Sequence, residues 1–312
     1  MARMPASAAS PTIDEVVAAV PAWQGRRIRI EPIVGGLTNR NFRVEVDGAP
    51  SFVRIPGPAT DLLAIDRANE LFNTRAAALA GVGPKVTEQL AAWNVMVLEW
   101  LPGRTMSVAA FGRPDSPERI AAVLRRLHAG PRFQLEFDMF RLVETYLRVV
   151  DERAIAIPAG FREALPQVAR IEAALAVRPV AHVPCHNDLL AENYLDDGRR
   201  LWIVAYEYSG NNDPTFELGN TCQELGFDDE RAAALCAAYF GPARFGTDAP
   251  ELLARMHLQM IMSDVGWTLW AAIQARVSTI DYDFWGWAEE RWTRAANNLE
   301  GPGFEPWLAA VG

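Results

Sequence analysis

The apolar pattern of this chain changes period at Pro102-Gly103, and that change limits the folds open to it. Before it, short runs alternate apolar and polar residues as half-buried strands do: Ile28 to Val34, Asn41 to Val46, Ser51 to Ile55, Lys85 to Leu90 and Asn94 to Trp100. Two helices are expected among them, Ile13 to Ala22 with Thr12 as N-cap, and Asp66 to Ala80 with Leu71, Ala76 and Leu79 on its apolar side. After the break helical spacing dominates: Pro117 to His128, Arg141 to Val150, Ala159 to Ala176, and again from Asp228 to the end. A loop-strand-strand stretch over 183–206 interrupts these helices. A strand-rich first third joined to a helix-rich remainder predicts an α+β chain of two lobes. With 312 residues, the chain is too long for one small core. The expected parts are a disordered tail over 1–12, a first lobe over 13–101 and a second over 102–312.

Composition narrows the partners. A net charge of -9 disfavours non-specific attraction to nucleic acid or to anionic membranes, and suits a cationic small molecule. The three cysteines, Cys185, Cys222 and Cys236, have no CxxC spacing. They argue against a disulfide framework and structural zinc, and fit a reducing cytoplasm, the expected location. The stretch Met1 to Thr12 lacks the apolar core of a signal peptide, and no apolar run reaches the length of about 18 residues that a membrane span needs. The expected partner is therefore a small molecule, without nucleic acid or membrane.

Several groups of residues can carry chemistry, each with a plainer alternative. In Cys185-His186-Asn187-Asp188-Leu189-Leu190-Ala191-Glu192-Asn193 an Asp precedes an Asn by five residues on a loop leading into a strand. Phosphotransferases seat a base and a metal ligand in this way, although His-Asn-Asp is also good turn chemistry. Trp267, Trp270 and Gln274 share one helical face, and Trp287 follows on the next helical segment. Such rings either fill a core or bind a cation that cannot donate hydrogen bonds. Gly35-Gly36 is either a simple hairpin turn or a place where backbone approaches phosphate closely. Arg54 stands inside an apolar strand; with Glu70 it forms either a working ion pair or an inconsequential surface one.

Taken in order, these stretches resemble one family. Gly35-Gly36-Leu37-Thr38-Asn39, Phe52-Val53-Arg54-Ile55-Pro56-Gly57, the Cys-His-Asn-Asp…Asn loop, Glu207-Tyr208-Ser209-Gly210…Asp213-Pro214 and the late Trp-rich helix are similar to motifs of the choline/ethanolamine kinases, within the aminoglycoside phosphotransferase and protein-kinase-like superfamily. The likeness runs from about Gly35 to Arg291. It implies a bilobal kinase-like fold with a small β-rich lobe and a larger, mostly helical one. It also implies ATP and Mg2+ as cofactors, and transfer of the γ-phosphate to the hydroxyl of choline or ethanolamine.

By the same resemblance Asp188 accepts the hydroxyl proton, Asn193 ligates magnesium and His186 braces the loop. Gly35, Gly36, Thr38 and Asn39 would lie over the nucleotide phosphates. Arg54, steadied by Glu70, would meet the α/β-phosphates, and backbone groups of Glu99 and Leu101 would read the adenine edge. Trp267, Trp270, Trp287, Tyr208, Glu224 and Phe227 fall on the acceptor side, with Glu224 offsetting the cationic charge. Asp213, Glu217, His128, Trp285 and Trp292 fall to structural roles. Relatives form homodimers, which makes a second copy of the chain a further expected partner.

One position departs from the pattern. The family reads Ile-Asp-Trp/Phe-Glu-Tyr after the catalytic loop, and this chain reads Val204-Ala205-Tyr206-Glu207-Tyr208. The Asp expected at 205 bridges magnesium to the phosphates, and losing it costs rate steeply. Three explanations stay open: Glu207 ligates in its place, the protein binds a quaternary ammonium or nucleotide without catalysis, or Ala205 is an isolated loss in an otherwise intact kinase. A different acceptor, such as another amino-alcohol, thiamine or an aminoglycoside, also stays open. The Trp pair speaks against a polycationic sugar.

Overall fold

The computed structural model describes residues 10–57 and 60–312. The tail expected over 1–12 lies, up to residue 9, outside the described residues. The chain forms two compact units, Met1–Asp61 with Pro84–Pro102, and Leu62–Gly83 with Gly103–Gly312.

The first unit is an antiparallel sheet. Its strands are β1 (Ile28–Ile33), β2 (Asn39–Val46), β3 (Ala49–Pro56), β4 (Val86–Leu90) and β5 (Val95–Glu99), in the order β1-β2-β3-β5-β4. Asp47-Gly48 joins β2 to β3 with positive φ at both residues, the geometry that matches the twist of a two-residue hairpin. One face buries Val44, Val53, Ile55, Val95 and Val97 against Val16, Val20 and Trp23 of the N-terminal segment. There α1 (Ile13–Ala19) starts at a capping box between Thr12 and Glu15. The Gly35-Gly36 loop between β1 and β2 takes φ of 108° and 95°, which side chains with a Cβ rarely adopt. Its far end is fixed where Gly57 N–H donates to Thr38 O at 3.0 Å; a Cβ on Gly57 would stand 2.3 Å from that oxygen.

The second unit is mainly helical. It holds α2 (Arg67–Leu79), the short β6 (Arg104–Thr105), α3 (Ser116–His128), α4 (Met139–Arg153) and α5 (Leu165–Val177). Then come β7 (Val183–Cys185), β8 (Tyr194–Asp196), β9 (Leu201–Ile203), β10 (Gly210–Asn212), α6 (Pro214–Leu225), α7 (Asp229–Val277), α8 (Phe284–Glu300) and α9 (Phe304–Val311). Two small sheets, β6-β8-β9 and β10-β7, flank the loop that leaves β7. Helix α7 is two helices meeting at Gly241, where φ is 80° just before Pro242. Leu124, Leu127, Tyr194, Ile203, Leu218 and Met256 lie at the centre of the main core. Among the described residues, no helix is long and apolar enough to cross a membrane.

Three expectations need correcting. Leu79 is not on a buried face of α2; it is 80% exposed. The inward face is mixed: Ala76, as expected, and Ala77 join the main core, while Asn69 and Asn73 both donate to Ser209 O at 2.9 and 3.0 Å. The helix expected from Ala159 begins only at Leu165, where Pro166 fits a first turn that has no need of its N–H. Helix α6 was not expected, although Asp213 caps it by accepting from Thr215 N–H at 2.8 Å and Pro214 opens it.

Candidate active site

The loop leaving β7 is held by buried polar groups that grip its backbone. Glu217, in the first turn of α6, accepts the N–H of His186 on one carboxylate oxygen and that of Asn187 on the other, both at 2.7 Å. Asn187 sits at φ 69°, a conformation Asn tolerates better than most residues. Its amide donates to Tyr208 O at 3.0 Å and accepts from Asn212 Nδ2 at 2.9 Å. His186 Nδ1 lies 3.2 Å from Asp188 N and its Nε2 lies 2.8 Å from Val204 O. Since an amide N–H can only donate and a carbonyl can only accept, the imidazole is neutral with its proton on Nε2. Asn193 Nδ2 donates to Asp188 O at 2.6 Å, and Asn193 O accepts from Val204 N–H at 2.9 Å. Asp188, Asn193 and His186 are thus tied to one another and, through Val204, to the segment after β9 that carries position 205.

Behind the loop, His128 Nε2 lies 3.6 Å from Glu217 Oε1 and 3.7 Å from Cys185 Sγ. These are metal-ligand types within reach of one another. Both Glu217 oxygens already accept backbone N–H groups, however, and burial pushes the Cys185 thiol well above its usual range, away from the thiolate a metal requires. The cluster acts as bracing for the loop.

Asp188 is the electrostatic centre. Burial, reinforced by the negative charge of Glu224 and opposed by Arg291, pushes its carboxyl up to about 7. A carboxylate poised there suits proton abstraction from an alcohol near neutral pH. Two residues past the end of β9, Ala205 offers no carboxylate; its backbone takes φ 70°. Glu207, two residues on, is buried.

Aromatic rings gather on α7 and α8. Tyr208 lies edge-on to Trp267 at 4.9 Å, and its hydroxyl accepts from Trp270 Nε1 at 2.6 Å. Trp270 meets Trp287 edge-on at 5.4 Å. Trp267 is 2% exposed, and its indole N–H has no hydrogen-bond partner among the described residues. Tyr208, Trp267, Trp270 and Trp287 are therefore brought together. Tyr282, which the sequence reading missed, extends the group from an exposed loop, 6.2 Å from Trp287 and 4.9 Å from Phe284.

Two acceptor-side expectations change. Glu224 is not offered to a ligand: it accepts from Arg291 Nη2 at 2.6 Å, both side chains being nearly inaccessible. Arg291 in turn lies over Trp287, 4.1 Å from the ring centroid. Phe227 follows the left-handed cap Gly226 of α6 and anchors that helix end in the main core, with Arg231 stacked on its ring at 4.4 Å. Arg291 was missed too, although its position four residues after Trp287 is a signal for stacking along a helix. Trp292 Nε1 donates to Ala159 O at 2.7 Å, and Trp285 is half-buried on α8.

In the first unit, Asn39 Nδ2 donates to Thr38 Oγ1 at 3.1 Å beside the Gly35-Gly36 loop. Arg54 is buried on β3 and Leu101 is buried just after β5. Glu99 N–H is taken by Lys85 O at 2.8 Å. In the second unit, Glu70 is 1% exposed and accepts from Arg67 Nη1 at 2.6 Å.

Comparison with known proteins places this geometry. Residues 29–254 match the family model described as the phosphotransferase enzyme family. A choline/ethanolamine kinase family protein from Mesorhizobium loti has 37% sequence identity and a TM-score of 0.82, over 96% of this chain and 98% of that one. Ethanolamine kinase 2 of Mus musculus is 29% identical over 310 residues, covering 88% of this chain and 77% of that protein. Protein LicA of Haemophilus influenzae is 27% identical over 250 residues, covering 77% of this chain and 72% of that protein.

Proposed function

Because the chain belongs to the choline/ethanolamine kinase family of phosphotransferases, we propose that it is an ATP-dependent small-molecule kinase whose acceptor is choline or ethanolamine. The observation that carries this reading is Asp188, poised near neutrality on a backbone-clamped loop, in the same unit as the Tyr208–Trp267–Trp270–Trp287 group. An aromatic group attracts a quaternary or primary ammonium through its ring faces. Asp188 would take the hydroxyl proton as the alcohol oxygen bonds to the γ-phosphorus, and the bond to the β-phosphate oxygen breaks to release ADP.

On the nucleotide side the proposed residues, all in the first unit, are Gly35, Gly36, Thr38 and Asn39 for the phosphates, Arg54 for the α/β-phosphates, and the backbone of Glu99 and Leu101 for adenine. The metal donors available are oxygens, which suits a hard cation: the Asn193 side-chain oxygen and the Glu207 carboxylate. Magnesium held there would supply positive charge to neutralise the phosphates. Asn193 already has its Nδ2 committed to Asp188 O, so its amide oxygen is the atom that would ligate.

Ala205 supports a second reading, a protein that binds the ammonium or the nucleotide with little turnover. Magnesium-dependent ADP formation with choline, measured for this chain and for Ala205→Asp, separates the two. Appreciable turnover by the parent chain removes the binding-only reading. An inert Ala205→Asp variant that still binds choline removes the kinase reading. The expected result is a parent slower than the variant by roughly 10²-fold or more.

A further inference from the structure

An indole has two π-faces, and in this protein one face of Trp287 is already taken. The Arg291 guanidinium carbon lies 4.1 Å from the ring centroid, and the residue is 4% exposed. A substrate ammonium on the opposite face would stand roughly 8 Å from that guanidinium, given ordinary cation–π spacing. Like charges that close, in surroundings only partly screened by water, disfavour binding by roughly thirtyfold. A bare Arg291 would therefore work against the very cation the ring is placed to hold.

The charges around Arg291 cancel that penalty. Glu224 Oε2 accepts from Arg291 Nη2 at 2.6 Å, with 3% and 4% of the respective side chains exposed. Asp264 is not a substitute: it is held by Arg294 through two contacts of 2.6 and 2.8 Å and also accepts from Gln223, and it stands 3.6 Å from Arg291 Nη1. The four groups form one connected cluster of two carboxylates and two guanidiniums, in which Glu224 is the nearer partner of Arg291 and Arg294 the nearer partner of Asp264; removing the Glu224 charge leaves the cluster one positive charge in excess. Arg291 Nε has no hydrogen-bond partner among the described residues, and the guanidinium is oriented by Glu224, the Trp287 ring and, at longer range, Asp264. We infer that Glu224 controls cation recognition at one remove, neutralising Arg291 so that the side of Trp287 opposite the guanidinium can receive a substrate ammonium. Glu224 and Arg291 are positioning residues in this scheme, and the scheme rests on the choline or ethanolamine reading above.

The test compares two ligands of one shape: choline, and 3,3-dimethylbutan-1-ol, in which carbon replaces the charged nitrogen. Both are titrated calorimetrically into the full chain. The parent is expected to prefer choline. Glu224→Gln is expected to weaken choline by roughly thirtyfold while the neutral analogue stays within about twofold. The double variant Glu224→Gln with Arg291→Met, which buries no lone charge, is expected to recover most of the choline affinity. Equal loss of both ligands in Glu224→Gln would mean that the pair only shapes the site, and the inference falls. Failure of the double variant to recover choline also overturns it. Where Glu224→Gln does not fold, the double variant decides alone: a retained preference for choline supports the inference and a lost one sinks it. A parent chain that does not bind choline or ethanolamine fails the substrate reading first, a result visible before any variant is made.

Discussion

Raising the Asp188 carboxyl from 3.8 to about 7 has two effects of opposite sense. A base must be ionised, so kcat/KM for the acceptor is expected to climb as pH rises through about 7; a flat profile there would rule Asp188 out. Stability runs the other way. A group raised in the folded state contributes its full stability below the unfolded value near 3.8 and loses it as pH rises through about 7. Asp188→Asn is therefore expected to be inactive yet to melt higher than the parent at pH 8, with an advantage that shrinks toward pH 5. Circular dichroism melts at several pH values check this, and an advantage that grows on acidification would contradict it. The aromatic residues admit a simpler test: Trp267→Ala with Trp270→Ala should weaken choline binding at least tenfold in a folded protein, whereas unchanged affinity would return those rings to the core. Asp188, Asn193 and His186 were legible because their spacing is local. The engagement of Glu224 by Arg291 was not, because its partner lies 67 residues away and only the packing of α6, α7 and α8 brings the two together.

At the scale of elements, the approach of α6 to α7 sets the site. A Cβ on Gly219 would stand 3.0 Å from both Met256 O and Met260 N, which are backbone atoms that cannot turn aside. Gly219→Ala should cost about 1–3 kcal/mol in denaturant unfolding, and it should also lower activity, because α6 carries Glu217 and Glu224. A silent substitution would mean that the two helices have slack. Most strands and helices could be read from period and punctuation, and their ends moved by only a few residues. Helix α6 escaped because its sequence, Phe216-Glu217-Leu218-Gly219-Asn220-Thr221, is buried on nearly every side and shows no amphipathic stripe. The Asp-Pro pair at its start was the readable signal. Helix α2 misled at Leu79 for the converse reason, since its buried face mixes Ala76 and Ala77 with asparagines satisfied by Ser209.

For the whole molecule, the change of period at Pro102-Gly103 was enough to foresee a sheet followed by helices. Local pattern could not show that Leu62–Gly83 groups with the later helical unit, because its contacts are with residues far along the chain. Ligand binding should register in global stability: choline at about 100 times its dissociation constant should add about 2.7 kcal/mol to the parent, and markedly less to the double Trp variant at the same concentration. The backbone at Ala205 bears on the molecule's history as well as its chemistry. Its left-handed φ of 70° is uncomfortable for alanine and easier for aspartate, whose short polar side chain can bond locally. The main chain there already has the shape that a carboxylate would use, and it is held by Asn193 and His186 through Val204. Alanine and aspartate codons can differ by a single base, so an aspartate at this position lies one mutational step away, on a main chain already shaped to carry it.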